Sequence, residues 1–284
     1  GVVAILTGED VAADNLGGPI CGWVPTNKDG SAPSEPPHPI LANGRVRYVG
    51  DHVAAVFAET LEQAMSAAEL IDVTYSEMPA ITDLKTAMDK PQIHDGMKNN
   101  TYFDWELGDE AATNDAFDKA ATIVKVDIRN NRVIPNAMEP RAAVADYDTG
   151  DERYTLFTTS QNPQLTRLVI GAFMLNIPES KLRVVAADVG GGFGSKIYVY
   201  PEEAVCVWAS KKLRRAVKWT ADRTQAFLGD AHGRDHISDV KLALDKNNRI
   251  TGLRVDTLAN LGAYLSAFAM VTPTYLHATL LFNV

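Results

Sequence analysis

The sequence predicts a protein of mixed structure, with a small α/β domain over residues 1–84 followed by a larger α+β or α/β domain over residues 101–284. Three observations lead to this prediction. Strand-like and helix-like patterns alternate before residue 84, and they mix again after residue 100. Between the two stretches, residues 85–100 contain many turn formers and little periodicity, which indicates a connector. A chain of 284 residues is also long enough to form two cores.

The first domain opens on an apolar stretch, "GVVAILTGED", that predicts a strand. Residues 14–39 are rich in Gly, Pro, Ser and Asn and predict a long surface loop. The stretches "RVRYV" and "HVAAVFAE" flank Gly50 and Asp51, so we expect a β-hairpin there. Thr60 and Gln63 have the spacing of a capping box, which predicts a helix over "LEQAMSAAELI". The following "IDVTY" predicts another strand.

The second domain contains four stretches that predict strands: "ATIVKVDIR", "AAVADYD", "YTLFTT" and "KLRVVAADV". Asn162 as an N-cap and Pro163 at the first helical position predict a helix over residues 163–175. The 3.6-residue period places four apolar side chains on one face of that helix. They are Leu165, Leu168, Val169 and Ala172.

The end of the sequence predicts one more helix and one hairpin. The helix begins at Pro201, with acidic residues in its first turn, and ends at residues 211–212, which are basic; both charges suit the helix dipole. "HISDVKLALD" and "RITGLRVDTLA" flank the turn-like residues 246–248 and predict the hairpin. No internal repeat and no low-complexity tract is found in the sequence.

Composition excludes several classes of function. The net charge is −9, and the densest basic run, residues 211–215, follows a predicted helix, so nucleic-acid binding is not expected. No apolar run reaches the roughly 18–20 residues of a membrane span. Cys21 and Cys206 lie far apart without metal-ligand spacing, which argues against a disulfide framework and indicates a reducing, cytoplasmic compartment. Because the chain opens on a strand without an initiator Met, we expect that it begins inside a larger protein.

A glycine loop, "DVGGGFGSK" at residues 188–196, joins a predicted strand to a predicted helix. It lacks the last glycine and the hydroxyl residue of a P-loop, because Ser195 stands at the sixth position from Gly190 and Ile197 follows the lysine. It fits the dinucleotide-binding fingerprint poorly, since the third glycine is again replaced by Ser195. Two interpretations remain: a tight turn with Phe193 in the core, or a loop whose main-chain N–H groups face a ligand.

A family resemblance bears on this choice. "DVGGGFGSK", with "SQNPQ" at residues 160–164 and "AMEPRAAVA" at residues 137–145, resembles the large subunit of molybdenum hydroxylases: xanthine dehydrogenases, aldehyde oxidases and aerobic carbon monoxide dehydrogenases. The stretches over residues 1–10 and 46–75 look like the small N-terminal hammerhead domain of that subunit. The resemblance covers essentially the whole chain and implies a hammerhead-like α/β domain followed by the first part of a molybdopterin-binding α/β domain.

The resemblance implies roles for five residues. Gly191, Gly192, Phe193 and Gly194 match the family's loop against the molybdenum cofactor, and Gln161 matches the glutamine beside the metal. We therefore expect Gln161 and Phe193 at the reaction centre and all five residues at the cofactor. The alternative for the Gln161 amide is a role at the start of the following helix.

Three other candidates are expected to be structural. Glu139 precedes a proline in a turn, where a carboxylate more often satisfies main-chain donors than it acts in catalysis. His232 and His236 are four residues apart, but a turn that starts a strand brings no helical face together, so we expect no metal ligands there. No protein metal ligand is predicted.

For the whole enzyme, the resemblance implies oxidative hydroxylation with water as the oxygen source. The cofactor would be molybdopterin, as its cytosine dinucleotide, with Mo and, in a carbon monoxide enzyme, Cu. An iron–sulfur small subunit and an FAD-binding medium subunit would carry electrons away from the small-molecule substrate, in a dimer of heterotrimers. Ile197 stands where purine-oxidising members carry a glutamate, which argues against purines. We expect the substrate-side arginine loop and the glutamate base to lie beyond residue 284.

Three functions are compared. The first is that of a carbon-monoxide-dehydrogenase-like molybdenum hydroxylase. The second is that of an aldehyde or N-heterocycle dehydrogenase of the same family. The third is that of a non-catalytic binding or assembly module with the same fold.

Overall fold

The structure, a computed structural model, describes residues 1–22 and 26–265. The last part of the predicted second domain, residues 266–284, lies outside the described residues. Within the described part of the chain, no helix is both long enough and apolar enough to cross a membrane. The fold is of mixed α and β type, as the sequence predicts.

The described residues form strands and helices in a mixed order. The strands are β1 (Val2–Thr7), β2 (Ala54–Ala58), β3 (Thr122–Asn130), β4 (Ala142–Asp148), β5 (Arg153–Thr158), β6 (Leu182–Val185), β7 (Val217–Thr220), β8 (His236–Leu244) and β9 (Ile250–Ala259). The helices are α1 (Gly8–Ala13), α2 (Leu61–Ala68), α3 (Glu110–Asp118), α4 (Pro163–Leu168), α5 (Pro201–Leu213) and α6 (Arg223–Gly229). Short 3₁₀ turns span Ala87–Asp89, Lys98–Asn100, Glu179–Lys181 and Ser195–Ile197.

These strands form three sheets. β1 and β2 pair antiparallel in a two-stranded sheet. The four-stranded sheet has the order β6-β5-β4-β7, in which β5 and β6 are parallel and the other pairs antiparallel. The three-stranded sheet has the order β3-β8-β9 and is antiparallel throughout, so the predicted hairpin over residues 236–259 is confirmed.

The predicted hairpin around Gly50 is wrong. Residues 45–49 form no strand, and β2 pairs instead with β1 at the start of the chain. The reason lies in the contacts of this segment. The Arg47 side chain donates to the carbonyl of Ile93 and to the hydroxyl of Tyr264, which ties the segment to the second half of the chain. Val49 is left exposed, and the alternating residues Val46 and Tyr48 are only half-buried.

The predicted strand at "IDVTY" is also wrong, although the helix before it is confirmed over α2. Thr60 Oγ1 accepts a hydrogen bond from the N–H of Gln63, as the capping-box spacing predicts. Residues 71–75 form no strand, and Val73 and Tyr75 are exposed. β-branched and aromatic residues favour a strand only where they pack against a neighbouring strand.

The predicted helix over residues 163–175 is confirmed as helical, but its second half is a π-helical segment, Val169–Met174. Asn162 caps α4 through its Oδ1 atom, which accepts from the N–H of Leu165 at 3.1 Å. The extra residue in the π-helical turn rotates the buried face. As a result Leu168 and Ala172 of the predicted face are exposed, while Ile170 and Met174 are buried.

Helix α5 lies at the centre of the main core. The predicted helix is confirmed, and it is buried over Pro201–Ser210. Its apolar residues pack with those of β4 and β5, of the π-helical segment and of residues 6–41. The most deeply buried core residues include Ile40, Ala145, Leu156, Ile170, Met174, Ala204, Val207 and Ala209.

The first turn of α5 holds a buried ionic cluster that the sequence does not reveal. Arg141 donates two hydrogen bonds to Glu202, at 3.2 and 2.8 Å, and a third to Asp230 at 2.6 Å. Its guanidinium carbon lies 3.6 Å from the ring centre of Tyr200. The side chains of Arg141, Glu202 and Asp230 are each at most 8% exposed. Glu202 and Asp230 therefore make buried contacts that stabilise the core, and Glu202 does not lie at a solvent-exposed helix end.

His52 extends this cluster and makes its stability depend on pH. Burial disfavours the charged imidazole, but the Glu202 carboxylate, 3.3 Å from Nε2, outweighs burial and raises the pKa of His52. Because a raised pKa favours the folded state below the unfolded pKa of about 6.5, this stabilisation is lost as the pH rises through the folded pKa.

We therefore expect the thermal unfolding midpoint to fall as the pH rises above about 6.5, and His52→Gln to remove most of that fall. The measurement is a series of melting curves from pH 5.5 to 8.5, a range that includes the unfolded histidine pKa of about 6.5. His232→Gln, an exposed histidine outside the cluster, is the control and should melt like the wild type. An identical pH profile for His52→Gln and the wild type would contradict the assignment.

Candidate functional site

The glycine loop connects β6 to α5, as the sequence predicts. Three of its residues have left-handed main-chain conformations: Gly191 (φ +93°), Phe193 (φ +50°) and Gly194 (φ +94°). A left-handed conformation is strained for a residue with a side chain, so Phe193 is held there by its surroundings. Phe193 is 75% exposed, which contradicts the alternative that places this ring in the core.

Gln161 lies directly against this loop. Its main-chain N–H donates to the carbonyl of Lys196 at 2.8 Å, and its side-chain Oε1 accepts from the N–H of Gly194 at 3.1 Å. The cap of α4 is supplied by Asn162, so the amide of Gln161 is not used at the helix start. Oε1 accepts from the loop, and Nε2 donates to no acceptor in the part of the chain that the structure describes, so both of its hydrogens are available to a ligand.

The closeness of Gln161 explains the glycine at position 192. Gly192 is outside the left-handed region, so its role is not conformational. A Cβ atom added there would lie 2.2 Å from Oε1 of Gln161 and 2.7 Å from its Cγ. Only glycine lets the main chain and the amide side chain approach this closely.

The loop also keeps main-chain donors for a ligand. Within the described residues, the N–H groups of Gly192 and Phe193 have no hydrogen-bond partner. With Nε2 of Gln161 they form a set of neutral donors beside an exposed aromatic ring. Such a set suits oxygen acceptors that carry partial negative charge on a flat heterocyclic ligand, and molybdopterin offers both features. The residues present therefore fit the group that the resemblance implies.

Glu139 and Lys196 lie next to the loop and pair with each other. Lys196 Nζ and the N–H of Gly190 both donate to Oε2 of Glu139 at 2.8 Å. Burial disfavours the ionised carboxyl, but Lys196 and the Gly190 N–H outweigh burial and lower the pKa of Glu139. The carboxylate is thus occupied by two donors, in agreement with the structural role expected for it. The sequence does not reveal Lys196, 57 residues further on, as its partner.

The other candidates stay outside the site. His232 lies in the loop before β8 with its Nε2 atom 3.2 Å from the carbonyl of Phe227, and His236 begins β8. Cys21 and Cys206 are both buried, and burial raises the pKa of the Cys206 thiol. Among the described residues, no group of three or more His, Cys, Asp or Glu side chains could hold a metal ion.

Two families of known domains match this chain. Residues 93–283 match the molybdopterin cofactor-binding domain, and residues 1–79 match the a/b hammerhead domain of aldehyde oxidase and xanthine dehydrogenase. The first match alone covers more than half of the 284 residues.

Individual relatives agree with these matches. The carbon monoxide dehydrogenase large chain of Hydrogenophaga pseudoflava is 34% identical over 278 residues, which is 93% of this chain and 33% of that protein. The crystal structure of quinoline 2-oxidoreductase from Pseudomonas putida 86 superposes with a TM-score of 0.83 at 32% identity, over 94% of this chain and 33% of that one. A Cu,Mo-CO dehydrogenase in its carbon monoxide reduced state superposes with a TM-score of 0.81 at 29% identity, over 90% of this chain and 33% of that one. The chain thus spans about a third of the length of these three relatives.

Proposed function

Since the chain belongs to the large-subunit family of molybdenum hydroxylases, we propose that its glycine loop and Gln161 bind the molybdopterin of such an enzyme. The observation that carries the proposal is the contact between Gln161 and the loop, with Oε1 turned to Gly194 and the N–H groups of Gly192 and Phe193 left without partners among the described residues. A turn that served only to join β6 to α5 would need neither the exposed Phe193 nor the amide.

Each residue of the site has its own task in this proposal. The N–H groups of Gly192 and Phe193 would donate to oxygen atoms of the cofactor, and Gln161 Nε2 would donate to a further oxygen. Gly194 orients the amide by donating to Oε1, so that the donor end faces the ligand. Phe193 keeps water from one side of the reaction centre. The bound molybdenum supplies two-electron redox chemistry that these side chains do not have.

We propose carbon monoxide, or a small substrate of similar size, as what the whole enzyme oxidises, with water as the oxygen source. The carbon monoxide dehydrogenase large chain and the Cu,Mo-CO dehydrogenase structure are similar to this chain, and these similarities support the proposal. It includes a molybdopterin cytosine dinucleotide with Mo and Cu in a cytoplasmic enzyme. Electrons would pass to an iron–sulfur small subunit and an FAD-binding medium subunit, in a dimer of heterotrimers.

A second candidate is the hydroxylation of an N-heterocycle. It is favoured by the quinoline 2-oxidoreductase structure, which has a TM-score of 0.83, and by the nicotine 6-hydroxylase large subunit of Paenarthrobacter nicotinovorans, which is 31% identical over 246 residues. Ile197 offers no charge to a purine, so an apolar heterocycle suits this candidate better than xanthine does.

Metal analysis of the purified complete protein separates the candidates. Molybdenum and copper together, with oxidation of CO to CO₂, would support the first proposal. Molybdenum without copper, with transfer of ¹⁸O from labelled water to quinoline or nicotine, would support the second. A protein that carries no molybdenum and releases no pterin would overturn both and favour a binding or assembly module.

Gln161→Ala tests the central contact. We expect the substitution to leave the fold intact, because the side chain of Gln161 is exposed, and to lower turnover by about 10²-fold or more, the loss typical of one donor at a reaction centre. Steady-state kinetics on protein of known molybdenum content and a melting curve are the measurements. Gln164→Ala, an exposed glutamine in α4 three residues away, is the control. Unchanged turnover and full molybdenum content in Gln161→Ala would show that the glutamine has no part in the site.

A further inference from the structure

We infer that Glu139 and Lys196 form an ion pair that positions the glycine loop and Gln161 for their ligand; the inference rests on the proposed function, since it assigns positioning residues to that same site. Lys196 Nζ lies 2.8 Å from Glu139 Oε2. The lysine side chain is 1% exposed and the glutamate side chain 36% exposed, so the pair runs from the protein interior to the edge of the site.

Glu139 holds the first glycine of the loop from two sides. Its Oε2 atom accepts from the N–H of Gly190 at 2.8 Å, and its own N–H donates to the carbonyl of Gly190 at 3.3 Å. A Cβ atom at Gly190 would lie 2.5 Å from the Cβ of Glu139, so the two segments are in direct contact. Any shift of Glu139 therefore moves the start of the loop.

Lys196 holds the other end of the loop and the strand end that carries Gln161. Its carbonyl accepts from the N–H of Gln161 at 2.8 Å and from the hydroxyl of Ser160 at 3.5 Å. The same residue thus joins three segments: its main chain binds residues 160–161, its side chain binds Glu139, and it follows the loop in sequence. The distance between Gln161 and the loop donors depends on where Lys196 lies.

An ion pair is not needed to fill this space. Apolar residues of similar volume often replace a buried charge pair without loss of stability, and here only the lysine of the pair is buried, so packing alone does not explain its charge. The charges fix the relative positions of Glu139 and Lys196, because charge-assisted hydrogen bonds are short and directional. The pair lies under a loop whose aromatic residue, Phe193, is exposed, so it acts through the loop and not by touching the ligand.

The test uses the complete protein and three variants. Lys196→Met removes the charge and keeps the length of the side chain, and Glu139→Gln keeps an acceptor for Gly190 without the charge. The matched control is Lys212→Met, which breaks a lysine–carboxylate pair of the same 2.8 Å length whose acid, Asp14, also keeps a second donor, Trp208 Nε1.

Two readouts are measured on each variant. Hydrogen exchange of the loop amides, residues 190–195, is followed on protein made in cells that produce no molybdopterin, so that loss of cofactor cannot change it. Pterin retained after gel filtration is measured on protein made in cells that produce molybdopterin. Neither readout depends on turnover.

We expect Lys196→Met to exchange its loop amides about tenfold faster and to retain about tenfold less pterin than the wild type. Glu139→Gln should change both in the same direction by less, and Lys212→Met should match the wild type in both. If Lys196→Met does not fold, Glu139→Gln decides: unchanged exchange and retention in it overturn the inference.

The outcomes separate the inference from the proposed function. A wild-type protein that contains no pterin would overturn the proposed function. Wild-type protein with pterin, together with unchanged exchange and retention in both variants at the pair, would overturn the inference alone. Faster exchange with full pterin retention would make the pair a purely structural contact and would overturn it as well.

Discussion

Replacing Arg141 with methionine is expected to lower the free energy of unfolding by about 3–5 kcal/mol, the cost of leaving buried charges without their partner. Arg141 makes two hydrogen bonds to Glu202 and one to Asp230, and all three side chains are at most 8% exposed. Burial would raise the pKa of Glu202, but Arg141 and then His52 outweigh it and lower the pKa, so the carboxylate depends on them for its charge. Without Arg141, His52 is the cationic partner that Glu202 keeps among the described residues.

Urea unfolding followed by tryptophan fluorescence measures this loss. Arg141→Lys is the second variant. It keeps the charge but not the bidentate hydrogen bond to Glu202, so we expect an intermediate loss of unfolding free energy. Arg167→Met is the control, because Arg167 pairs with Glu179 at the surface, where an ion pair contributes no more than about 1 kcal/mol. A loss below about 1 kcal/mol for Arg141→Met would show that the cluster does not stabilise the core.

Local sequence patterns predict several elements of this fold well. β4 matches the expected stretch "AAVADYD" residue for residue, and α5 ends one residue beyond the expected residues 211–212. The hairpin of β8 and β9 is confirmed because its strands are consecutive in the chain and pair with each other. In the hairpin, the sequence signal and the contact that it reflects lie close together in the chain.

The patterns fail where the partner is distant or the helical period changes. β2 pairs with β1, about 50 residues earlier in the chain, and no local feature shows which of two apolar stretches is its partner. The π-helical segment Val169–Met174 shifts the buried face, and a prediction based on a period of 3.6 residues misses that shift. The sequence analysis does not predict helices α1, α3 and α6 or strand β7.

The candidate site, too, is predicted from the sequence only in part. Four glycines around one aromatic residue indicate a special loop, and the family resemblance is needed to connect that loop with Gln161, about 30 residues earlier. The sequence does not show that Gln161 Oε1 accepts from Gly194, nor that Lys196 pairs with Glu139, because both contacts join segments that the fold brings together. A lysine at the end of a glycine loop, as at Lys196, is a signal that could have prompted a search for a carboxylate partner.

The segment Glu139-Pro140-Arg141 links the core to the site. Arg141 anchors the segment to α5 through Glu202, and Glu139, two residues away, binds Gly190 and Lys196. The proline between them fixes one main-chain angle, which limits how far the two anchors can move independently. We infer that the buried cluster fixes the position of Glu139 against the loop. Loss of the cluster would therefore displace the loop as well as destabilise the core.

Gly192→Ala is expected to lower the amount of bound molybdopterin by about tenfold while leaving most of the fold intact, since overpacking at one site costs about 1–3 kcal/mol. The reason differs from the one that glycine-rich loops usually suggest. Gly192 is not left-handed, so alanine fits its main chain, but the new Cβ would lie 2.2 Å from Gln161 Oε1. The amide must therefore move and lose its contact with the N–H of Gly194. Gly192→Val, with two further methyl groups, should be more severe.

A double-mutant cycle makes this prediction specific. If the clash with the Gln161 side chain is the cause, Gly192→Ala combined with Gln161→Ala should retain as much pterin as Gln161→Ala alone, because the group that alanine meets is no longer there. The control is Gly233→Ala, a glycine that is also outside the left-handed region and whose Cβ would have its nearest neighbour at 3.7 Å. Additive losses in the double variant would mean that the main chain of the loop, and not the amide, requires glycine at position 192. Equal retention would place the amide and the loop in one unit that binds the cofactor together.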